Sequence, residues 1–272
     1  MATINLTREF IVQPGAKVRL DRIDPAGCAG FADKAAANGL LEKDQRRLEE
    51  LRYLLFAESR AALLVVLQGL DAAGKDGVVR QVMLGVSPQS CRVTSFRVPS
   101  AEELAHDFLW RVHRAVPGRG EIGIFNRSHY EDVLIVRVHN LVPEKRWRGR
   151  YDEINDFERM LARNGTHILK FFLHISRDEQ RRRLQQRLAD PTKNWKMSLG
   201  DLREREHWDD YQQAYEEALS RCSTDWAPWF VIPSDRKWFR NLAISEIIVE
   251  KLESLKMRFP KPDFDPTTIT VP

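Results

Sequence analysis

The chain has 272 residues, 30% of them charged, with 43 Lys and Arg against 39 Asp and Glu for a net charge of +4. That length buries a real core in one large domain, and the dense but nearly balanced charge suits an anionic ligand without requiring one. Three cysteines (Cys28, Cys91, Cys222), no C-x-x-C pair, no export signal and no window of about 18 apolar residues argue against a disulfide scaffold and a membrane span, and for a reducing cytoplasm.

Residues 1–39 carry Gly and Pro in "QPGAKVRL" and "IDPAGCAG" and read as an irregular strap over a domain running from 40 to 265, with 266–272 as an open tail. A helix is expected over 40–59, followed by the apolar strand "ALLVVLQ" at 62–68 and a helix over 76–86. Next come a strand at 92–96, a helix over 101–114, the strand "IGIF" at 122–125 and helices over 128–139 and 150–163. "HILKFFLHI" (167–175) is a fourth strand, and Ser176 with Glu179 has the capping-box spacing for a helix over 177–189. A helix over 203–220, the strand "WFVIP" at 229–233 and a helix over 237–257 complete the chain. Strands alternating with helices predict an α/β fold, three layers around a mainly parallel five-stranded sheet.

The stretch "LQGLDAAGKDG" fits G-x-x-x-x-G-K between a strand and a helix, the setting that aims backbone N–H groups and a helix N-terminus at phosphate. Gly69, Gly74 and Gly77 permit close approach of backbone, Ala72 and Ala73 keep the rim small, and Lys75 supplies a point charge. Asp76 stands where such loops usually place the Ser or Thr that binds Mg²⁺. Carboxylates at 71 and 76 beside a phosphate cradle call for a cation, and Asp71 is the expected metal ligand; Asp76 is read either as part of the cradle or as a helix cap.

The third strand runs into "FNRSHYED" (125–132), which places Arg127 beyond the strand's carboxyl end and beside the loop if the two strands are neighbours. Arg127 is read as a ligand of the transferring phosphoryl group, with a surface ion pair to Glu131 as the plainer alternative. Residues 176–197 hold seven Lys and Arg against three acids. A solvated face explains many such runs. After a phosphate loop, though, the run reads as part of a helical lid over about 176–217, with Arg183, Arg187 and Lys196 facing a polyanion and Leu184 and Leu188 on the packed side. A base-stacking role for Trp226 or Trp229 is weaker than core packing.

"GLDAAGKDG", "SFRVPSAEELAHDFLWRVH", "GRGEIGIFNRSHYEDVLIVRVH" and "RLADPTKNWK", in this order, resemble the second family of polyphosphate kinases, with likeness from "FIVQPGAKVRL" to "TDWAPWFVIPSDRKWFRN". The resemblance implies a thymidylate-kinase-like fold with a helical lid, a homo-oligomer, and Mg²⁺-dependent phosphate transfer between inorganic polyphosphate and nucleotides, with Mn²⁺ as an alternative metal. It assigns the essential positions to Asp71, Lys75, Arg127 and Arg187, and makes Asp76 a family trait. Where many members read F-D-R-S-W-Y-N, this chain has Asn126 and Glu131, similar to the subgroup that phosphorylates both AMP and ADP and so makes ATP from AMP. An ATP-dependent nucleotide or small-molecule kinase on the same fold is the alternative reading; a nucleic-acid-binding module ranks last, since it leaves the loop without a purpose.

Overall fold

The computed structural model describes residues 5–85, 87–266, 269 and 270, with backbone alone for Lys196, Leu199 and Asp201. Five strands, β1 (Ala62–Gln68), β2 (Cys91–Ser95), β3 (Ile122–Asn126), β4 (Thr166–His174) and β5 (Trp229–Pro233), form one parallel sheet in the order β2-β3-β1-β4-β5. β1 is buried along its whole length, because helices cover both faces of the sheet and leave no position of the strand facing water.

The longer helices are α1 (Lys34–Glu58), α2 (Lys75–Val82), α3 (Glu144–Arg163), α4 (Arg177–Ala189), α5 (Trp208–Cys222) and α6 (Lys237–Ser254). α1, α2 and α6 pack together on one side; α3 and α5 pack together on the other, with α3 against β4. The expected three-layer α/β fold is therefore present. Among the described residues no helix is long and apolar enough to cross a membrane.

Several helix bounds differ from expectation. α1 starts at Lys34 because the Asp33 side chain accepts the Ala36 N–H and caps it. The helix expected over 101–114 is two single turns, Ala101–Leu104 and Trp110–His113; the Asp107 carboxylate accepts the Leu109 N–H and holds the break between them. The span 128–139 likewise divides into a 3₁₀ turn, His129–Asp132, and Ile135–Val138. Ser176 accepts the Glu179 N–H, but the Glu179 carboxylate turns to Arg182 and Arg183, so only half of that capping box forms.

The N-terminal strap is more ordered than its Gly and Pro content suggests. It opens with the helical turn Leu6–Phe10, and Val12 N–H donates to Trp229 O at 2.8 Å beside a bridge between Ile11 and Phe230. Farther along, Val18 and Leu20 N–H donate to Ser220 Oγ and Glu216 Oε1 of α5.

Candidate active site

β1 and β3 are direct neighbours, with Leu67 opposite Asn126, so the loop after β1 and the motif after β3 open side by side at the carboxyl end of the sheet. Gly74 has φ +107 and ends the loop immediately before α2; a Cβ there would collide with Nη1 of Arg240, so glycine is required for two reasons. Lys75 Nζ donates to Gly69 O at 2.6 Å and Leu70 O at 3.3 Å. Burial lowers the pKa of its ammonium and Arg127 lowers it further, against the pull of Asp71, Glu131 and Asp76.

Arg127 has the left-handed φ of +63, and its N–H donates to Leu67 O at 3.0 Å. Its guanidinium pairs with Asp71 Oδ1 at 2.9 Å rather than forming only the Glu131 pair considered above. Burial opposes the Arg127 charge, yet Glu131 and Asp71 outweigh it and raise its pKa. Glu131 lies behind, its carboxyl raised by burial against the attraction of Arg127 and Lys75. Asn126 Nδ2 donates to Asp76 Oδ1 at 2.7 Å, and α2, which begins after Gly74, has no side-chain cap, so Asp76 does not cap it. An aspartate at 126 would face that carboxylate with another negative charge.

Three carboxylates, Asp71, Asp76 and Glu131, thus surround one lysine and one arginine. Among the described residues no group of three or more His, Cys, Asp or Glu could hold a metal alone. Mg²⁺ is commonly held by one or two carboxylates plus substrate phosphates, and a site shared with substrate fits this donor set.

α4 reaches the loop through its first turns. Gln180 Nε2 donates to Asp71 O at 2.9 Å, and Arg183 Nη1 donates to Ala72 O at 3.0 Å and Ala73 O at 2.8 Å. Arg183 Nη2 goes to Ser234 O and Asp235 O, Nε to Glu179, and the residue is only 7% exposed. The expectation that Arg183 faces a polyanion is therefore corrected: its donors hold the back of the loop. Arg187, one turn on and on the same face of α4, is half-buried. Leu184 is buried but Leu188 is 52% exposed, so the packed side is Gln180, Arg183 and Leu184. The side chain of Lys196 lies outside the described residues.

Sequence reasoning missed five polar residues at this site, Gln68, Ser128, Gln180, Tyr215 and Arg240. Gln68 ends β1 and donates to Ser128 Oγ at 3.1 Å, while Tyr215 OH reaches Gln68 Oε1 at 3.4 Å. Gln180 and Arg240 hold loop carbonyls. A glutamine closing an otherwise apolar strand was the available signal for Gln68; nothing comparable marked Gln180. Beneath the β3 motif, Lys170 Nζ donates to Glu158 Oε2 at 2.5 Å, Tyr130 OH at 2.8 Å and Cys222 O at 2.7 Å, all fully buried, and Glu158 Oε1 also meets His129 Nε2 at 3.1 Å. Trp229 lies in the core against Tyr130 and Lys170, which rules out stacking on a base; Trp226 lies beneath Arg159.

The family model for polyphosphate kinase 2 matches residues 32–260, which span the loop, the β3 motif and α4. The chain belongs to the polyphosphate kinase 2 family. Its relatives in this family include an AMP/ADP-polyphosphate phosphotransferase of Meiothermus ruber, 55% identical over 94% of this chain and 96% of that protein. An ADP-polyphosphate phosphotransferase of Rhodopseudomonas palustris is 47% identical over 94% and 92%. The crystal structure of polyphosphate kinase 2 from Arthrobacter aurescens TC1 superposes with a TM-score of 0.93 at 43% identity, covering 97% of this chain and 94% of that one. As a polyphosphate kinase 2, the protein is a phosphotransferase.

Proposed function

We propose that this enzyme transfers phosphate reversibly between inorganic polyphosphate and both AMP and ADP, so that ATP is made from AMP in two rounds. The observation that carries the reading is the set of opposed charges at the carboxyl end of the sheet: Lys75 and Arg127 among Asp71, Asp76 and Glu131. The acceptor phosphate is already anionic near neutral pH, so alignment and charge neutralisation suffice and no strong base is needed. Lys75 and the loop amides from Gly69 to Gly77 grip one phosphate group, while Arg127, joined by Arg187 and Lys196 as the lid closes, stabilises charge on the group in transfer. Mg²⁺, with Mn²⁺ as a substitute, would be held by Asp71 and would supply neutralising charge between the phosphates. Acceptance of both AMP and ADP is supported by Asn126 and Glu131 and by the name of the Meiothermus ruber relative. The same reading has the body at 40–265 with a lid at about 176–217, working in the cytoplasm as a homo-oligomer.

The test is ATP formation from long-chain polyphosphate and Mg²⁺ with ADP in one reaction and AMP in another. ATP in both is expected. ATP from ADP alone removes the dual-acceptor assignment of Asn126 and Glu131, and transfer only from ATP to another acceptor removes polyphosphate as donor. Activity should also fall steeply with salt, because a polyanion gripped by cationic side chains releases counterions on binding.

A further inference from the structure

Three successive carbonyls of the phosphate loop are held from behind by side chains. Asp71 O accepts from Gln180, Ala72 O from Arg183, and Ala73 O from both Arg183 at 2.8 Å and Arg240 Nη1 at 3.0 Å. In a trans peptide the carbonyl and the following N–H point in opposite directions, so pinning these oxygens turns the Ala72 and Gly74 N–H groups to the opposite side. The Ala73 N–H closes the turn on Leu70 O at 3.1 Å.

Arg240 is the unusual member. It sits on α6, is 2% exposed, and its remaining donors go to the neutral amide oxygen of Asn241, at 3.1 Å from Nε and 2.8 Å from Nη2. Burial and the nearby charge of Arg183 push its pKa down to about 9, still charged near neutral pH. A buried guanidinium without a carboxylate is costly, and an apolar side chain of similar length would fill the space without that cost. It lies so close to the loop that Gly74 has no room for a Cβ and one on Gly77 would sit 3.2 Å from Nη2.

We propose that Arg240, with Arg183, is a positioning residue for phosphoryl transfer: the pair fixes the carbonyls of Ala72 and Ala73 and places two positive charges behind the phosphate cradle. The loop meets its polyanion with its amides oriented and its back already cationic. This inference rests on the reading that residues 69–77 hold phosphate.

The test uses the full chain with Arg240→Met, Arg240→Lys and, should Arg240→Met not fold, Arg183→Gln in its place. Binding of tripolyphosphate is measured by calorimetry, with KM for polyphosphate and thermal unfolding alongside. A folded Arg240→Met protein is expected to bind tripolyphosphate about tenfold more weakly, with KM for polyphosphate raised in parallel, and Arg240→Lys to recover most of that affinity because it keeps the charge. Arg183→Gln should weaken binding in the same direction. Unchanged tripolyphosphate affinity in the folded Met or Gln variant, or a Lys variant no better than Met, overturns the proposal. Lys75→Ala is the control: if it binds tripolyphosphate as tightly as the parent, the reading of the loop itself fails instead.

Discussion

Arg127 holds a left-handed backbone conformation, φ +63, that costs a non-glycine residue about 1 kcal/mol or more, and the ion pair with Asp71 together with the N–H bond to Leu67 O offsets it. Lysine there keeps one charge but loses the planar fork, so Arg127→Lys should lower kcat/KM by about 100-fold with thermal stability nearly unchanged, as steady-state kinetics and a melting curve would show. Gly74→Ala is a different kind of lesion. It strains a φ of +107 and drives a methyl into Arg240, so urea unfolding should register a loss of about 2 kcal/mol or more. The glycine is plain in the sequence because G-K spacing announces it, whereas the arginine that forbids a side chain there lies 166 positions away in a helix whose pattern reads as core. Arg183 fails for a related reason: a basic run shows charge, not which members turn inward.

At the scale of elements, β4 shows what an apolar run conceals. "THILKFFLH" is legible as a buried strand, and its lysine, fully buried in the middle of the run, is the charge that does not belong. The fold resolves it: Lys170 meets Glu158 of α3, the Tyr130 hydroxyl after β3 and the last turn of α5, so one ammonium ties together the strand, both helices of that layer and the motif that carries Arg127. Removing one partner strands the other charge in the core. Lys170→Met alone should cost about 3–5 kcal/mol in urea unfolding, and adding Glu158→Leu should recover a large part of it. Strand positions were readable to within a residue or so because short apolar, β-branched runs bounded by turn residues mark them, buried throughout in β1 and β5 and partly exposed in the edge strand β2. The helices over 101–114 and 128–139 were not, because local side-chain bonds and irregular backbone at Leu134 interrupt them without a Gly or Pro to mark the break.

For the whole molecule, stability should depend on an acidic cluster between α1 and α6. Asp44 on α1 is pushed up to about 6 by burial, and Glu246 on α6 up to about 7 by burial and by Asp44 and Glu250. Unfolded carboxyls titrate near pH 4, so the folded chain takes up more protons between about pH 4 and 7, and this contribution is fully present below that window and lost as pH rises through it. Asp44→Asn should therefore raise Tm at pH 8 and leave it unchanged at pH 4, as paired melting curves would reveal. The strap, which composition alone made look irregular, is fastened by its backbone N–H groups to a carbonyl of β5 and to side chains of α5, contacts no local pattern encodes. Those fastenings set an order of events during synthesis. Ile11 and Val12 pair with Phe230 and Trp229, which are made more than 200 residues later, about 10–45 s at 5–20 residues per second. A ribosome-stalled chain ending before β5 should thus be cut by protease within residues 6–20 while one released after α6 resists there; a segment made early is among the last parts to find its place.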